Sequence, residues 1–227
     1  MVLAAQAHNN RKKRKEQKAS KPNVLEAKTE NQKNYIRSII ENDVVFCTGP
    51  SGTGKSFIAA GVAAQKLLKD EIDTVVVTRP LVCTGRDLGS LPGELNDKIK
   101  PYLQPMEENL RHFLGREKFG YYFNQRRIKF EPLETMRGST FHDSYMILDE
   151  AQNCTLEQIK MFITRMGKHS KVLINGDNQQ TDIFRDNGLA FCVQRLSNIN
   201  GVGISKLAYH DIQRNGIIGA VLYALEG

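Results

Sequence analysis

Gly49-Pro50-Ser51-Gly52-Thr53-Gly54-Lys55-Ser56 satisfies G-x-x-x-x-G-K-[ST] in full. Glycines at 49, 52 and 54 let the backbone wrap close to phosphate oxygens, and Pro50, Ser51 and Thr53 complete a turn whose N–H groups point inward. Lys55 offers a charge to β- and γ-phosphates, and Ser56 a hydroxyl suited to Mg2+. Upstream, Asp43-Val44-Val45-Phe46-Cys47-Thr48 reads as a strand. Downstream, Ser56–Lys69 reads as a helix with Ala59, Ala60, Ala63, Ala64, Leu67 and Leu68 on its apolar side. A helix opening at the loop adds the positive end of its dipole. Strand, glycine loop and helix together form the setting this motif needs to hold a triphosphate. The bland alternative is a glycine-rich turn with an incidental Lys-Ser.

Working outward, the same alternation recurs. Thr74–Thr78 is a β-branched run of the kind buried on both faces of a sheet. Tyr145–Leu148, Lys171–Ile174 and Gly203–Leu207 are further expected strands. Expected helices are 32–41, Leu156–Met166 with Thr155 as N-cap, Asn187–Leu196 and Asp211–Leu225. Strands alternating with helices imply an α/β fold of three layers, a mostly parallel sheet covered on both faces. Residues 81–140, punctuated by Pro92, Pro101, Pro105 and Pro132, read as an insertion.

The chain has 227 residues, 40% apolar and 25% charged, enough for one packed domain. Its formal charge of +7 is concentrated at the start, where residues 1–21 hold seven basic side chains against Glu16 alone. The expected organisation is a basic, mobile arm over 1–29 and one domain over 30–227, nearly neutral and without a compositional basic face. Cys47, Cys83, Cys154 and Cys192 are too dispersed for a zinc site or disulfide framework and read as reduced buried thiols. No apolar run reaches the roughly 18 residues of a membrane span, and no secretory leader is visible. A cytoplasmic protein without membrane contact is expected.

A second motif complements the first. Tyr145-Met146-Ile147-Leu148-Asp149-Glu150 is an apolar strand ending in two carboxylates. In a parallel sheet, carboxyl ends of strands face the ligand crevice. Asp149 would hold Mg2+ through water, in the Walker B role, and Glu150 would polarise a water against the γ-phosphate. Small-molecule P-loop kinases do not need that second carboxylate, so Asp-Glu points to hydrolysis. The alternative is an acid-enriched helix start. Asp149-Glu150-Ala151-Gln152 also reads like the DExx boxes of nucleic-acid motors. The next strand leads into Gly176-Asp177-Asn178-Gln179-Gln180, where Gln180 is placed as a γ-phosphate sensor or, more plainly, a polar loop residue.

With these residues in view, the sequence resembles PhoH-like proteins, the phosphate-starvation-inducible ATPase family, over about residues 31–225. The resemblance is carried by Thr78-Arg79-Pro80, Gly85-x-x-Leu88-Gly89-x-Leu91-Pro92-Gly93-Glu94-Leu95 and Lys100-Pro101-Tyr102-x-x-Pro105. Met136-Arg137-Gly138-x-Thr140-Phe141, Asp149-Glu150-Ala151-Gln152-Asn153, Gly176-Asp177-x-x-Gln180-x-Asp182 and Asp211-Ile212-x-Arg214 extend it. It implies a RecA-like core similar to that of superfamily 1 helicases, with ATP and Mg2+ as cofactors. It also implies an adenine contact at Gln32, otherwise a solvated helix residue. The chain departs from the family after Arg214, where Asn215-Gly216 stands in place of the His-Pro often found there. No nuclease or RNA-binding module accompanies these residues, so the ribonuclease activity of longer relatives is not implied.

A two-domain helicase closes its site with an arginine from the second domain, and such a finger contributes on the order of 10³–10⁵ in rate. Here a neighbouring subunit is expected to supply it, in a homo-oligomer that closes as a hexameric ring. Arg214 is the leading candidate for finger or sensor, with Arg185, Arg137 and Arg79 behind it. Arg86, Lys98, Lys100, Arg126, Arg127 and Lys129 interleave with Tyr102, Tyr121, Tyr122 and Phe123, a pattern suited to single-stranded RNA or DNA and also to ordinary amphipathic surface. The basic arm could add salt-sensitive phosphate contacts. Three classes stay open: an ATPase acting on nucleic acid with helicase-like activity, an ATP-driven protein switch or remodeller, and a small-molecule P-loop kinase.

Overall fold

The computed structural model describes residues 22–80, 95–177, 188–213, 221 and 224, with the backbone alone over 95–100. Six strands form one sheet: β1 (Val44–Thr48), β2 (Thr74–Thr78), β3 (Ile128–Phe130), β4 (Ser144–Leu148), β5 (Lys171–Gly176) and β6 (Val202–Lys206). Their order is β3-β2-β4-β5-β1-β6, and every neighbouring pair is parallel. The helices are α1 (Glu30–Glu41), α2 (Lys55–Leu68), α3 (Leu95–Leu114), α4 (Arg116–Asn124), α5 (Leu156–Ile163) and α6 (Gly188–Leu196).

The period-two geometry of a strand sorts side chains into two cores. Val45, Cys47, Val75, Val77, Tyr145, Ile147 and Leu173 face one side, where they pack with Tyr35 and Ile39 of α1, the alanine-rich face of α2, and Leu110 and Phe113 of α3. Val44, Phe46, Val76, Met146, Leu148, Val172 and Ile174 face the other, against Ile159 and Phe162 of α5 and Leu189 and Cys192 of α6. This is the three-layer α/β fold expected, a parallel sheet covered by helices on both faces. Because both faces are covered, the strands are almost continuously apolar.

Several local readings change. α1 begins at Glu30 because the Thr29 side chain accepts the Gln32 N–H at 3.2 Å. The packed body reaches back further still: Leu25 packs on the core and Asn23 Nδ2 donates to His112 O at 2.8 Å. The arm expected over 1–29 therefore ends before residue 29, and residues 1–21 lie outside the described residues. α5 stops at Ile163, short of Met166. The Phe141 and Gly167 amides draw the chain aside into bonds with Arg165 O and Phe141 O.

Residues 95–130 hold two helices and β3, which local pattern did not reveal. α3 contains Pro101 and Pro105, both on its exposed side. Its buried side, Leu103, Met106, Leu110, Phe113 and Leu114, has helical spacing. The helix expected from Asp211 does not begin there. Tyr209–Asp211 is a 3-10 turn, and Ile212 and Gln213 are non-helical. Among the described residues no helix is long and apolar enough to cross a membrane.

Candidate functional site

The loop after β1 takes the shape its glycines permit. Gly49, Gly52 and Gly54 have φ of 151°, 84° and 96°. At Gly49 a Cβ would lie 2.3 Å from the Leu207 carbonyl oxygen, so only glycine fits. Buried Thr53 closes the turn by donating to Pro50 O at 2.8 Å. Gly54 is the N-cap of α2, which puts Lys55 and Ser56 in its first turn. Lys55 Nζ donates to the carbonyls of Gly49 and, at 2.9 Å, Pro50.

Three strands deliver their carboxyl ends here. β5 lies between β1 and β4, and Gly49 N donates to Gly176 O at 3.3 Å. Ser56 Oγ donates to Asp149 Oδ1 at 2.6 Å, joining the two sequence motifs. Asp149 is 4% exposed. Burial, and then the neighbouring Glu150 charge, raise its carboxyl above the ordinary value, opposed by Ser56, Arg79 and Lys55. A buried carboxylate and a hydroxyl in contact are hard oxygen donors that fit Mg2+, which keeps waters and phosphate oxygens in its remaining positions. Among the described residues no cluster of three or more His, Cys, Asp or Glu forms a complete protein cage.

Glu150 stands in the left-handed region (φ 56°, ψ 39°), a conformation that costs a non-glycine residue about 1–2 kcal/mol. Its carboxylate is held at both oxygens. Arg79 Nη2 lies 3.0 Å from Oε1, and Gln152 Nε2 donates to Oε2 at 2.6 Å. Gln152 is itself buried, and its Oε1 accepts the Asp177 N–H at 3.0 Å. Arg79, entertained as an arginine given to a neighbouring subunit, is thus engaged within its own chain. Motif spacing had singled out neither Arg79 nor Gln152 for this task. The signal was position: Arg79 directly follows the carboxyl end of β2, and Gln152 lies in the short turn after the carboxyl end of β4.

Gln32 is not a solvated helix residue; it is 3% exposed. Its Nε2 donates to Thr53 O at 2.9 Å and its Oε1 accepts the Lys28 N–H at 2.8 Å, so it braces the loop from the cavity wall. A late segment adds to the brace: Gln213 N donates to Gly52 O at 3.2 Å, and Asn31 Nδ2 to Asp211 Oδ2 at 2.9 Å. Burial alone would raise the Asp211 carboxyl, yet hydrogen bonds from Thr29, Asn31 and the Ala208 amide hold it below its ordinary value.

A cavity of about 600 Å³ opens over this loop, lined by Gln32, Lys55, Ser56, Asp149, Glu150 and Asp177 among others. Its size suits a nucleotide. Phe57 and Asn109, which motif spacing did not mark, also line it. Gln180, Arg185 and Arg214 lie outside the described residues. Arg137 is exposed beside Lys160 and Arg165 at a second cavity, which shares no residue with the first.

The nucleic-acid candidates divide. Tyr102, Tyr121 and Phe123 are exposed, but Tyr122 is buried and Arg127 lies over its ring. Arg127 also pairs with Asp70 and donates to Ile72 O and Asp73 O. Tyr122 and Arg127 thus serve packing. Arg86 and the side chains of Lys98 and Lys100 lie outside the described residues. Cys47 is fully buried and its thiol is raised by burial, as a core residue should be.

Comparison with known proteins adds the following. A family profile described as PhoH-like protein matches residues 24–226. A PhoH-like protein of Synechocystis sp. PCC 6803 is 39% identical over 92% of this chain and 64% of its own length. For a PhoH-like protein of Bacillus subtilis the figures are 38%, 92% and 66%, and for Protein PhoH of Escherichia coli K12 they are 36%, 87% and 57%. The chain thus spans less than two thirds of these curated relatives. Among solved structures, the UvsW helicase of Bacteriophage T4 superposes with a TM-score of 0.47 at 13% identity, over 85% of this chain and 66% of that one. The Pif1 helicase of Candida albicans superposes at 0.37 and 15%, over 81% and 41%.

Proposed function

The chain belongs to the PhoH-like protein family, and from that premise we propose that it binds ATP with Mg2+ and hydrolyses it. We further propose that turnover is coupled to single-stranded nucleic acid and takes place in a homo-oligomeric ring. The observation that carries the first part is the 2.6 Å contact between Ser56 and Asp149, which unites a phosphate loop and a strand-end carboxylate in one cavity.

The roles follow from the chemistry of each group. Backbone amides of 49–54 and the start of α2 face the phosphates. Lys55 exchanges its hold on the loop carbonyls for the β- and γ-phosphate oxygens. Bound Mg2+ would neutralise charge developing on those oxygens, with Ser56 and Asp149 as its protein ligands. Glu150 accepts the proton of the attacking water. A carboxylate in that position favours hydrolysis over transfer to a small acceptor. Gln32, held at the cavity wall by Thr53 O and the Lys28 N–H, is placed to contact the adenine.

Lys55→Ala is expected to abolish ATP binding or turnover, and Glu150→Gln to keep binding while nearly stopping phosphate release, leaving a slow residual rate. If both variants cycle ATP normally, the site is misassigned.

Support for nucleic acid is the exposure of Tyr102, Tyr121, Phe123 and Arg126, together with the basic start of the chain. Turnover should rise with single-stranded RNA or DNA at low salt and lose that rise at high salt. A rise with neither polymer, at any salt, turns the reading toward an ATP-driven protein switch. The ring proposal rests on a site needing one more cation, from Arg214, Arg185 or Arg137 of a neighbour. A monomer with brisk turnover on sedimentation refutes it.

A further inference from the structure

We propose that Arg79 is the positioning residue for Glu150, acting from within its own subunit to aim the carboxylate that activates water. The proposal rests on the reading of Glu150 as hydrolytic base, and it assigns Arg79 a task other than that of an arginine finger.

Arg79 directly follows β2, which lies beside β4 in the sheet. The two strand ends are tied together by Asp149 N donating to Thr78 O at 3.0 Å. From there one guanidinium reaches two ways. Nη2 lies 3.0 Å from Glu150 Oε1, and Nη1 donates to the Tyr102 carbonyl of α3 at 3.1 Å. The opposite oxygen of Glu150 is held by Gln152, anchored in turn on the Asp177 amide. The carboxylate is thus gripped from two sides by donors that are themselves fixed, one to a helix and one to the end of β5. The left-handed backbone at Glu150 completes the restraint.

Two opposed consequences of the Arg79 contact can be weighed. Pairing with a guanidinium offsets part of the carboxylate's charge, which would weaken its pull on the attacking water. The side chains here are 25% and 37% exposed, and a pair so open to solvent is worth at most about a factor of five. Loss of aim weighs more, because a misplaced catalytic group loses on the order of ten- to a hundredfold. Positioning therefore dominates, and removal of Arg79 lowers turnover. Lysine cannot reproduce the fork that spans Tyr102 O and Glu150 at once.

The test is steady-state ATP turnover by the full chain, with and without single-stranded RNA. Arg79→Ala should lower kcat about tenfold and leave KM for ATP within about twofold, at an unchanged melting temperature. Arg79→Lys should recover part of the loss. In a Glu150→Gln background, Arg79→Ala should cause no further loss, because it acts through that carboxylate. Equal losses in both backgrounds, a raised KM with kcat intact, or a raised kcat each overturn the proposal. Arg79→Gln, closer in length and neutral, carries the same expectations should the alanine variant fold poorly. If Glu150→Gln itself turns over ATP normally, the reading of Glu150 falls first and the positioning role with it. If Glu150→Gln is nearly inactive and Arg79→Ala is native-like, only the positioning role falls.

Discussion

Ser56→Ala tests the joint between the two halves of the site. The hydroxyl donates to Asp149 Oδ1 at 2.6 Å, and Asp149 is 4% exposed. A hydrogen bond to a charged group contributes about 1.5–3 kcal/mol, and little water is present to replace the lost donor. For a domain of this size 1 kcal/mol corresponds to about 2–4 °C, so the melting temperature should fall by about 3–12 °C at neutral pH. The pH dependence has a definite sign. Burial raises the Asp149 carboxyl, so the folded protein holds that proton more tightly than the unfolded chain does. Stability tied to this group is therefore fully present below the unfolded value and is lost as pH rises through the folded one. The Ser56 bond opposes that loss, so its removal enlarges it. The gap between Ser56→Ala and the native protein should vanish in acid and open as pH rises through the raised Asp149 value. Ser56→Thr, which keeps a hydroxyl, should close most of the gap. The assay is thermal melting across pH, paired with ATP binding with and without a magnesium chelator. The native protein should lose affinity on chelation, and Ser56→Ala should show little further change. Native-like melting at neutral pH, or a gap independent of pH, would refute the account.

Gly49→Ala combines a disfavoured φ of 151° with a Cβ 2.3 Å from Leu207 O, and should cost at least about 3 kcal/mol and abolish ATP binding. Chemical denaturation and nucleotide titration check both. Tyr35→Phe removes a 2.6 Å bond to Asn175 Oδ1 in the core, where Asn175 Nδ2 already lacks a hydrogen-bond partner among the described residues. A loss of about 1–3 kcal/mol is expected from the same denaturation curves, and an unchanged midpoint would show that water reaches Asn175. Thr155→Ala breaks the capping box with Gln158 and should cost about 1 kcal/mol without altering kcat, read from melting and turnover together.

Much of the architecture was legible because it depends on short-range rules. The glycine loop announces itself because only glycine tolerates the backbone it needs, and Thr155 marks its helix by offering an oxygen to an orphan amide. Strands buried on both faces must be apolar throughout, so Thr74–Thr78 and Tyr145–Leu148 stood out unaided. β3 did not, because a three-residue edge strand beside charged neighbours carries no periodicity. α3 was obscured by Pro101 and Pro105, which end helices by local rule and are tolerated here because they face solvent.

From residue types and spacing alone came the phosphate loop and the acidic strand end, while the family came from the resemblance of further motifs to known proteins. Folding alone decided which of those groups touch. Ser56 and Asp149 are 93 residues apart and meet because β5 lies between β1 and β4, a strand order that no local pattern encodes. The burial of Gln32 against the loop and the grip of Arg79 on Glu150 have the same origin. Local sequence dictates backbone conformation and which face is apolar. Contacts between distant polar groups depend on how the layers stack, and that is settled by the whole core at once.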